Sequence, residues 1–133
     1  MPVTVLISDD SAVMRKAVKI FLSGRTDVAI VGEATNGAET IAGLRDLRPD
    51  VLLLDLRIPG SQNQPLKLSE QIDHTKIVAM TFGKDEASRA LADYIGASVL
   101  IDKADLTTEL IPLVVGLVQK SSPTPQEPIP SKF

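Results

Sequence analysis

Residues 3–10 read VTVLISDD, a short β-branched and apolar run that stops on two adjacent aspartates. The run is too short for a typical helix and lacks the polar alternation of a half-exposed strand. It therefore predicts a strand buried on both faces, Val3 to Ser8, with the acid pair just beyond its end. Four more segments have the same form: Asp27 to Ala34 (DVAIVGEA), Val51 to Leu54 (VLLL), Lys76 to Met80 (KIVAM) and Ser98 to Ile101 (SVLI). Helical spacing fills the intervals. Ser11 to Ser23 sets Ala17, Val18, Ile20, Phe21 and Leu22 against Arg15, Lys16 and Lys19, and Gly24 suits a C-terminal stop. Ala38 to Leu47 follows Asn36-Gly37 and ends before Pro49, while Ala87, Ala90, Leu91 and Tyr94 mark a helix that Asp85 can cap and Gly96 can end. The last helix is expected from about Asp105 or Thr108 to Lys120; Pro112 belongs in a first turn, so that helix should start near Thr108 or kink. After the third strand, the polar loop 59–65 leaves only Leu66 to Ile72 for a short or irregular helix. Five strands alternating with helices predict an α/β fold, a doubly wound five-stranded parallel sheet with helices on both faces, because parallel neighbours need crossover connections.

Composition bounds the chemistry. The 133 residues hold 14 Lys plus Arg, 17 Asp plus Glu, one His and no Cys, and 44% are hydrophobic, as in one soluble globular domain. Without cysteine there is no disulfide, thiolate nucleophile or cysteine metal site, and one histidine argues against zinc held by imidazoles. Any metal should be a hard cation on oxygen. A formal net charge of −3, three Phe, one Tyr and no Trp supply neither a basic surface nor stacking rings, so no nucleic-acid binding by this chain is expected. No run reaches the ~18 apolar residues of a membrane helix, and the start MPVTVLISDD lacks a signal-peptide pattern. The expectation is a cytoplasmic protein with no membrane contact. From Ser121 the sequence SSPTPQEPIPSKF carries four of the nine prolines. This divides the chain into a folded domain, 1–120, and a mobile tail or linker stub, 121–133, a proline-rich ligand being the alternative.

In a doubly wound sheet, ligands bind beyond the carboxyl ends of the strands. Asp9 and Asp10 follow strand 1, Asp55 follows strand 3, Thr81 follows strand 4 and Lys103 follows strand 5. Three converging carboxylates would raise one another's pKa unless a cation joined them, and Mg²⁺ suits such an oxygen set. Each residue also has a plainer explanation. Asp10 could cap the first helix, Asp55 could belong to a turn into Ile58-Pro59-Gly60, Thr81 could be an ordinary strand end, and Lys103 could be a solvated surface charge. The joint pattern favours a phosphoryl-accepting site.

From Val3 to Lys120 the chain resembles the receiver domain of bacterial two-component response regulators. The matching pieces are VLISDDSAVMRKA, IVGEATNGAE, RPDVLLLDLRIPG, the Thr of VAMTFG, and GASVLIDKADL, with Thr81 and Lys103 spaced as in that family. The resemblance implies the flavodoxin-like strand order 2-1-3-4-5. It implies Asp55 as the acceptor of a phosphoryl group from a sensor histidine kinase or histidine phosphotransfer protein. It also implies Mg²⁺ held by Asp10, Asp55 and the backbone carbonyl of Arg57, with Asp9 helping through a water. Lys103 and Thr81 would contact phosphoryl oxygens, and the output surface would be the helix between strands 4 and 5, strand 5 and the last helix. Such a protein is a signalling switch rather than an enzyme in the ordinary sense. About 120 residues of receiver and a short tail leave no length here for a DNA-binding effector.

Several positions depart from the family pattern. Leu100, three residues before Lys103, stands where Tyr or Phe is usual; Phe82 replaces a small residue; Ala104 replaces a proline; and the loop after Pro59-Gly60 lacks Met-Asp-Gly. These motivate an alternative, a degenerate receiver that binds partners without phosphorylation. An α/β phosphohydrolase using Asp55 lacks the second acid two residues on, and a flavodoxin-like cofactor binder lacks a phosphate loop after strand 1. Leu110, Ile111, Leu113, Val114, Val115, Leu117 and Val118 exceed the stripe one buried face needs, which suggests partial exposure and a homodimer through the last helix. His74 reads as a loop residue rather than a phosphorelay histidine.

Overall fold

A computed structural model of the chain describes residues 2–58, 68 and 74–121, with side chains described up to Gly116. Nine regular elements follow one another among these residues: β1 (Val3–Ser8), α1 (Ala12–Leu22), β2 (Val28–Ala34), α2 (Gly37–Leu47), β3 (Val51–Asp55), β4 (Lys76–Thr81), α3 (Glu86–Ile95), β5 (Val99–Asp102) and α4 (Leu106–Ser121). The strands form one sheet in the order β2-β1-β3-β4-β5, and every neighbouring pair is parallel. The expected short helix at 66–72, the loop 59–65 and the proline-rich end lie outside the described residues, apart from a buried Leu68. Among the described residues no helix is long and apolar enough to cross a membrane.

Alternation along β3 explains the two layers. Val51 and Leu53 join Val18 and Leu22 of α1 and Leu106, Leu110 and Val114 of α4 on one face of the sheet. Leu52 and Leu54 join Leu44 of α2 and Ala92 and Ile95 of α3 on the other. A central strand covered on both faces must be apolar at every position, which is why VLLL carries no polar alternation. On the α2 side the approach is close, since a Cβ on Gly43 would lie 2.9 Å from Cδ2 of Leu6.

The helix ends follow local chemistry. Ser11, Asn36 and Asp85 are the N-caps, accepting bonds from the N–H groups of Met14, Glu39 and Ser88. Gly24 and Gly96 take the left-handed conformation just past α1 and α3. Between Val5 and Leu6 the β1–β2 register slips by one residue, so that Val31 is an insert in the edge strand.

The start of the last helix falls at the earlier of its two expected positions, near Asp105 rather than Thr108. Pro112 is the seventh residue of α4, not part of its first turn, because the helix begins at Leu106 directly after a 3₁₀ turn at Lys103–Asp105. Proline has no N–H, so the Thr108 carbonyl receives no bond from position 112. The apolar surplus is partly exposed, as expected: Leu110 and Val114 are fully buried, whereas Ile111, Leu113 and Val115 are only partly buried against the same core, and the side chains of Leu117 and Val118 lie outside the described residues. Among the described residues α1 and α4 cover this face of the sheet, which draws in more of α4 than one narrow stripe.

Candidate functional site

Four of the parallel strands bring their carboxyl ends to one place. Asp9 follows β1, Asp55 is the last residue of β3 rather than the first of a turn, Thr81 ends β4, and Lys103 opens the 3₁₀ turn after β5. All four are buried, and only Asp10 is exposed. Carboxylate oxygens of Asp9, Asp10 and Asp55 lie within 4.8 Å of one another.

The supports are backbone groups. The Asp9 N–H donates to the Ala34 carbonyl at 3.0 Å, tying the first acid to β2. The Asp9 carbonyl accepts from Nη1 of Arg15 at 2.7 Å, and Oδ1 of Asp9 accepts from the Ser11 N–H at 2.9 Å. Oδ1 of Asp55 accepts from the Arg57 N–H at 3.0 Å, so the turn after β3 holds that carboxylate in one orientation. Thr81 Oγ1 lies 3.4 Å from Ser88 Oγ on α3.

Lys103 supplies a cation from within the fold. Its Nζ donates to Oδ2 of Asp9 at 2.9 Å and lies 3.4 Å from Oδ2 of Asp55, with all three side chains 1% exposed. The ammonium therefore partly balances the acids. The balance is incomplete. Burial pushes the Asp55 carboxyl above its usual range, the Arg57 N–H and Lys103 pull it back, and the Asp9 charge adds to the rise. Oδ2 of Asp55 is buried and accepts no hydrogen bond.

The set fits a small hard cation. Around Mg²⁺, with bonds of about 2.0–2.1 Å, ligand oxygens stand roughly 3–4 Å apart, and here one oxygen from each acid lies within 4.8 Å of the others. Oδ2 of Asp55 has an unused acceptor, and Asp10 has no hydrogen bond or ion pair among the described residues. Both oxygens of Asp9 are already engaged, which suits it to contact through water. Arg57 lies in the turn beside Asp55.

The plainer explanations for single residues fare unevenly. Ser11, not Asp10, caps α1. Lys103 is no surface charge, and Asp55 makes its turn contact while remaining buried. His74 lies in a bend before β4, 3.9 Å from Asp50 and away from the acid cluster in the fold. Sequence reasoning missed Arg15, which looked like one charge on the polar face of α1, and Ser88, whose hydroxyl carries no signal in the sequence.

Comparison with known proteins identifies the family and the fold. Residues 5–114 match the family model of the response regulator receiver domain. The chain is 37% identical over 87 residues to the nitrate/nitrite response regulator protein NarL of Escherichia coli K12, covering 64% of this chain and 40% of that one. It is 46% identical over 57 residues to the transcriptional regulatory protein BtsR of Salmonella typhi, covering 43% of this chain and 24% of that one. The matches thus span less than half the length of these curated relatives. Among solved structures, a signal receiver domain of a response regulator from Mycobacterium tuberculosis superimposes with a TM-score of 0.75 at 29% identity, over 90% of this chain and 95% of that one.

Proposed function

The chain belongs to the response regulator receiver domain family, a family of two-component signalling proteins, and on that premise we propose that Asp55 is its phosphoacceptor, charged by a sensor histidine kinase or a histidine phosphotransfer protein. The observation that carries the proposal is the buried Asp55 carboxylate, with one oxygen fixed by the Arg57 N–H and the other free of hydrogen bonds beside Lys103. An oriented, incompletely balanced carboxylate is a prepared nucleophile.

In the proposed step an Asp55 oxygen attacks phosphorus. The new bond is O–P; the P–N bond to the donor ring, protonated on its other nitrogen, breaks, and its electron pair stays on the nitrogen, so the leaving group is neutral imidazole. Lys103 then pairs with a phosphoryl oxygen, exchanging a carboxylate partner for a more highly charged one. The Thr81 hydroxyl donates to another, giving up Ser88. Mg²⁺, for which Asp10, Asp55 and the Arg57 carbonyl are the proposed direct ligands and Asp9 the water-mediated one, supplies neutralisation of carboxylate and phosphoryl charge. Making or losing bonds at the ends of β4 and β5 would bias the surface of α3, β5 and α4 between two arrangements. The proposed unit is residues 1–120 with 121–133 as a linker stub, and the proposed setting is the cytoplasm.

Leu100 is partly buried against the core and has no hydroxyl or ring to follow Thr81. This favours a second reading, a receiver whose partner binding does not depend on phosphorylation. Intact-mass measurement after incubation with Mg²⁺ and a small phosphodonor separates the two. One phosphoryl adduct on the wild type, none on Asp55→Asn and none with excess chelator is the expected result. No adduct from any donor or kinase would favour the second reading.

A further inference from the structure

Phe82 is an unusual neighbour for an ionic site. It follows Thr81 at the end of β4, the residue is 58% exposed, and its ring centroid stands 5.4 Å from Nζ of Lys103. That ammonium is itself buried and faces Asp9 and Asp55. A large ring left in water beside the mouth of a buried charge cluster gains little from burial, so the core does not explain it. It lies within cation–π distance of Lys103, but two carboxylates already balance that charge, so the contact fixes where the ring sits more than it serves the lysine.

The position has a chemical consequence that rests on Asp55 being the phosphoacceptor. In an in-line transfer the leaving group stands on the side of phosphorus opposite the attacking Asp55 oxygen, which is the solvent side of the pocket. Thr81 and Lys103 flank the phosphoryl group, and Phe82 is covalently next to the first and packed on the second. The ring therefore lines the space the leaving group occupies. We propose that Phe82 is a specificity-determining residue for the phosphodonor, favouring donors with a flat aromatic leaving group, the phosphoimidazole class, over small hydrated acyl phosphates. An imidazole can stack on the ring, more strongly while it carries partial positive charge, whereas acetate gains nothing from an apolar face and loses water to it. In both cases an O–P bond to Asp55 forms; with phosphoimidazole a P–N bond breaks and imidazole leaves, and with acetyl phosphate a P–O bond breaks and acetate leaves.

The test compares phosphorylation rates from monophosphoimidazole and from acetyl phosphate, both with Mg²⁺, for the wild type, Phe82→Ala, Phe82→Leu and Phe82→Tyr. The expected ratio of imidazole to acetyl rates falls about three- to tenfold in the alanine and leucine variants, the scale of one aromatic contact, and is retained in Phe82→Tyr. A structural role for the ring would slow both donors together and leave the ratio unchanged, and that result overturns the proposal. If the wild type takes no adduct from either donor, the phosphoacceptor assignment falls and the donor preference with it. If the wild type labels on Asp55 and all four proteins share one ratio, only the donor preference falls.

Discussion

Replacing Asp55 with asparagine should stabilise the protein in the absence of divalent metal. At neutral pH the wild-type fold holds a buried carboxylate oxygen with no hydrogen bond, and an unsatisfied buried polar atom costs about 1–3 kcal/mol. Asparagine keeps an oxygen for the Arg57 N–H and removes the charge that burial and Asp9 both oppose, although its amide nitrogen, standing where Oδ2 was, faces the Lys103 ammonium and offsets part of the gain. The loss is the attraction to Lys103 at 3.4 Å, but that ammonium retains Asp9 at 2.9 Å. The net gain should fall at the low end, about 1 kcal/mol, which raises the Tm of a domain near this size by roughly 4 °C. Thermal unfolding with chelator at pH 7 measures it, and millimolar Mg²⁺ should then raise the wild-type Tm well above its effect on the variant. The pH dependence has a definite sign. Because the folded-state pKa of Asp55 is raised, its contribution is fully present below the ordinary value of 3.8 and is lost as pH rises through the folded value. The gap between variant and wild type should therefore be smallest towards pH 4, widen as pH rises from there to the folded pKa, and level off above it. A variant no more stable than wild type at pH 7 without metal would show that the Lys103 attraction outweighs the cost of burial, and would refute the reasoning.

Lys103→Met should destabilise the metal-free protein by about 3–5 kcal/mol, because it leaves Asp9 and Asp55 buried without their cation; urea unfolding with and without Mg²⁺ should show part of the loss restored by the metal. Thr81→Val should slow phosphoryl transfer about tenfold or more, the worth of one hydrogen bond to a charged group, read from the rate of adduct formation. Leu53→Ala, in the fully buried centre of β3, should cost about 2–5 kcal/mol in urea unfolding without abolishing phosphorylation of the folded fraction. Asn36→Ala should remove the cap of α2 at a cost of about 1 kcal/mol, again read by urea unfolding.

Most of the sheet was legible because a strand buried on both faces has few residue choices. VTVLIS and VLLL could be little else between turn signals, and the acids, threonine and lysine stand out because each interrupts such a run. The aspartate cap of α3 and the glycines after α1 and α3 were readable for a similar reason, since only a few residue types satisfy a helix end or a positive φ. What the sequence hid depends on three-dimensional neighbours. The slip at Val31 leaves no compositional mark. Ser11 and Asp10 are both good caps by type, and only the backbone path decides that the serine caps while the aspartate stays exposed. Lys103 could be read as a phosphate ligand, but its pairing with Asp9 across 94 positions of chain follows from the strand order.

The account turns on which atom carries the phosphoryl group. Phosphorylate the protein with Mg²⁺ and monophosphoimidazole, trap the adduct by borohydride reduction, and map the modified peptide by mass spectrometry. Reduction at Asp55 alone, and none in Asp55→Asn, is the predicted result, because only an acyl phosphate is reduced to the alcohol. A stable adduct on a hydroxyl residue or on His74, or an adduct that persists in Asp55→Asn, would contradict it.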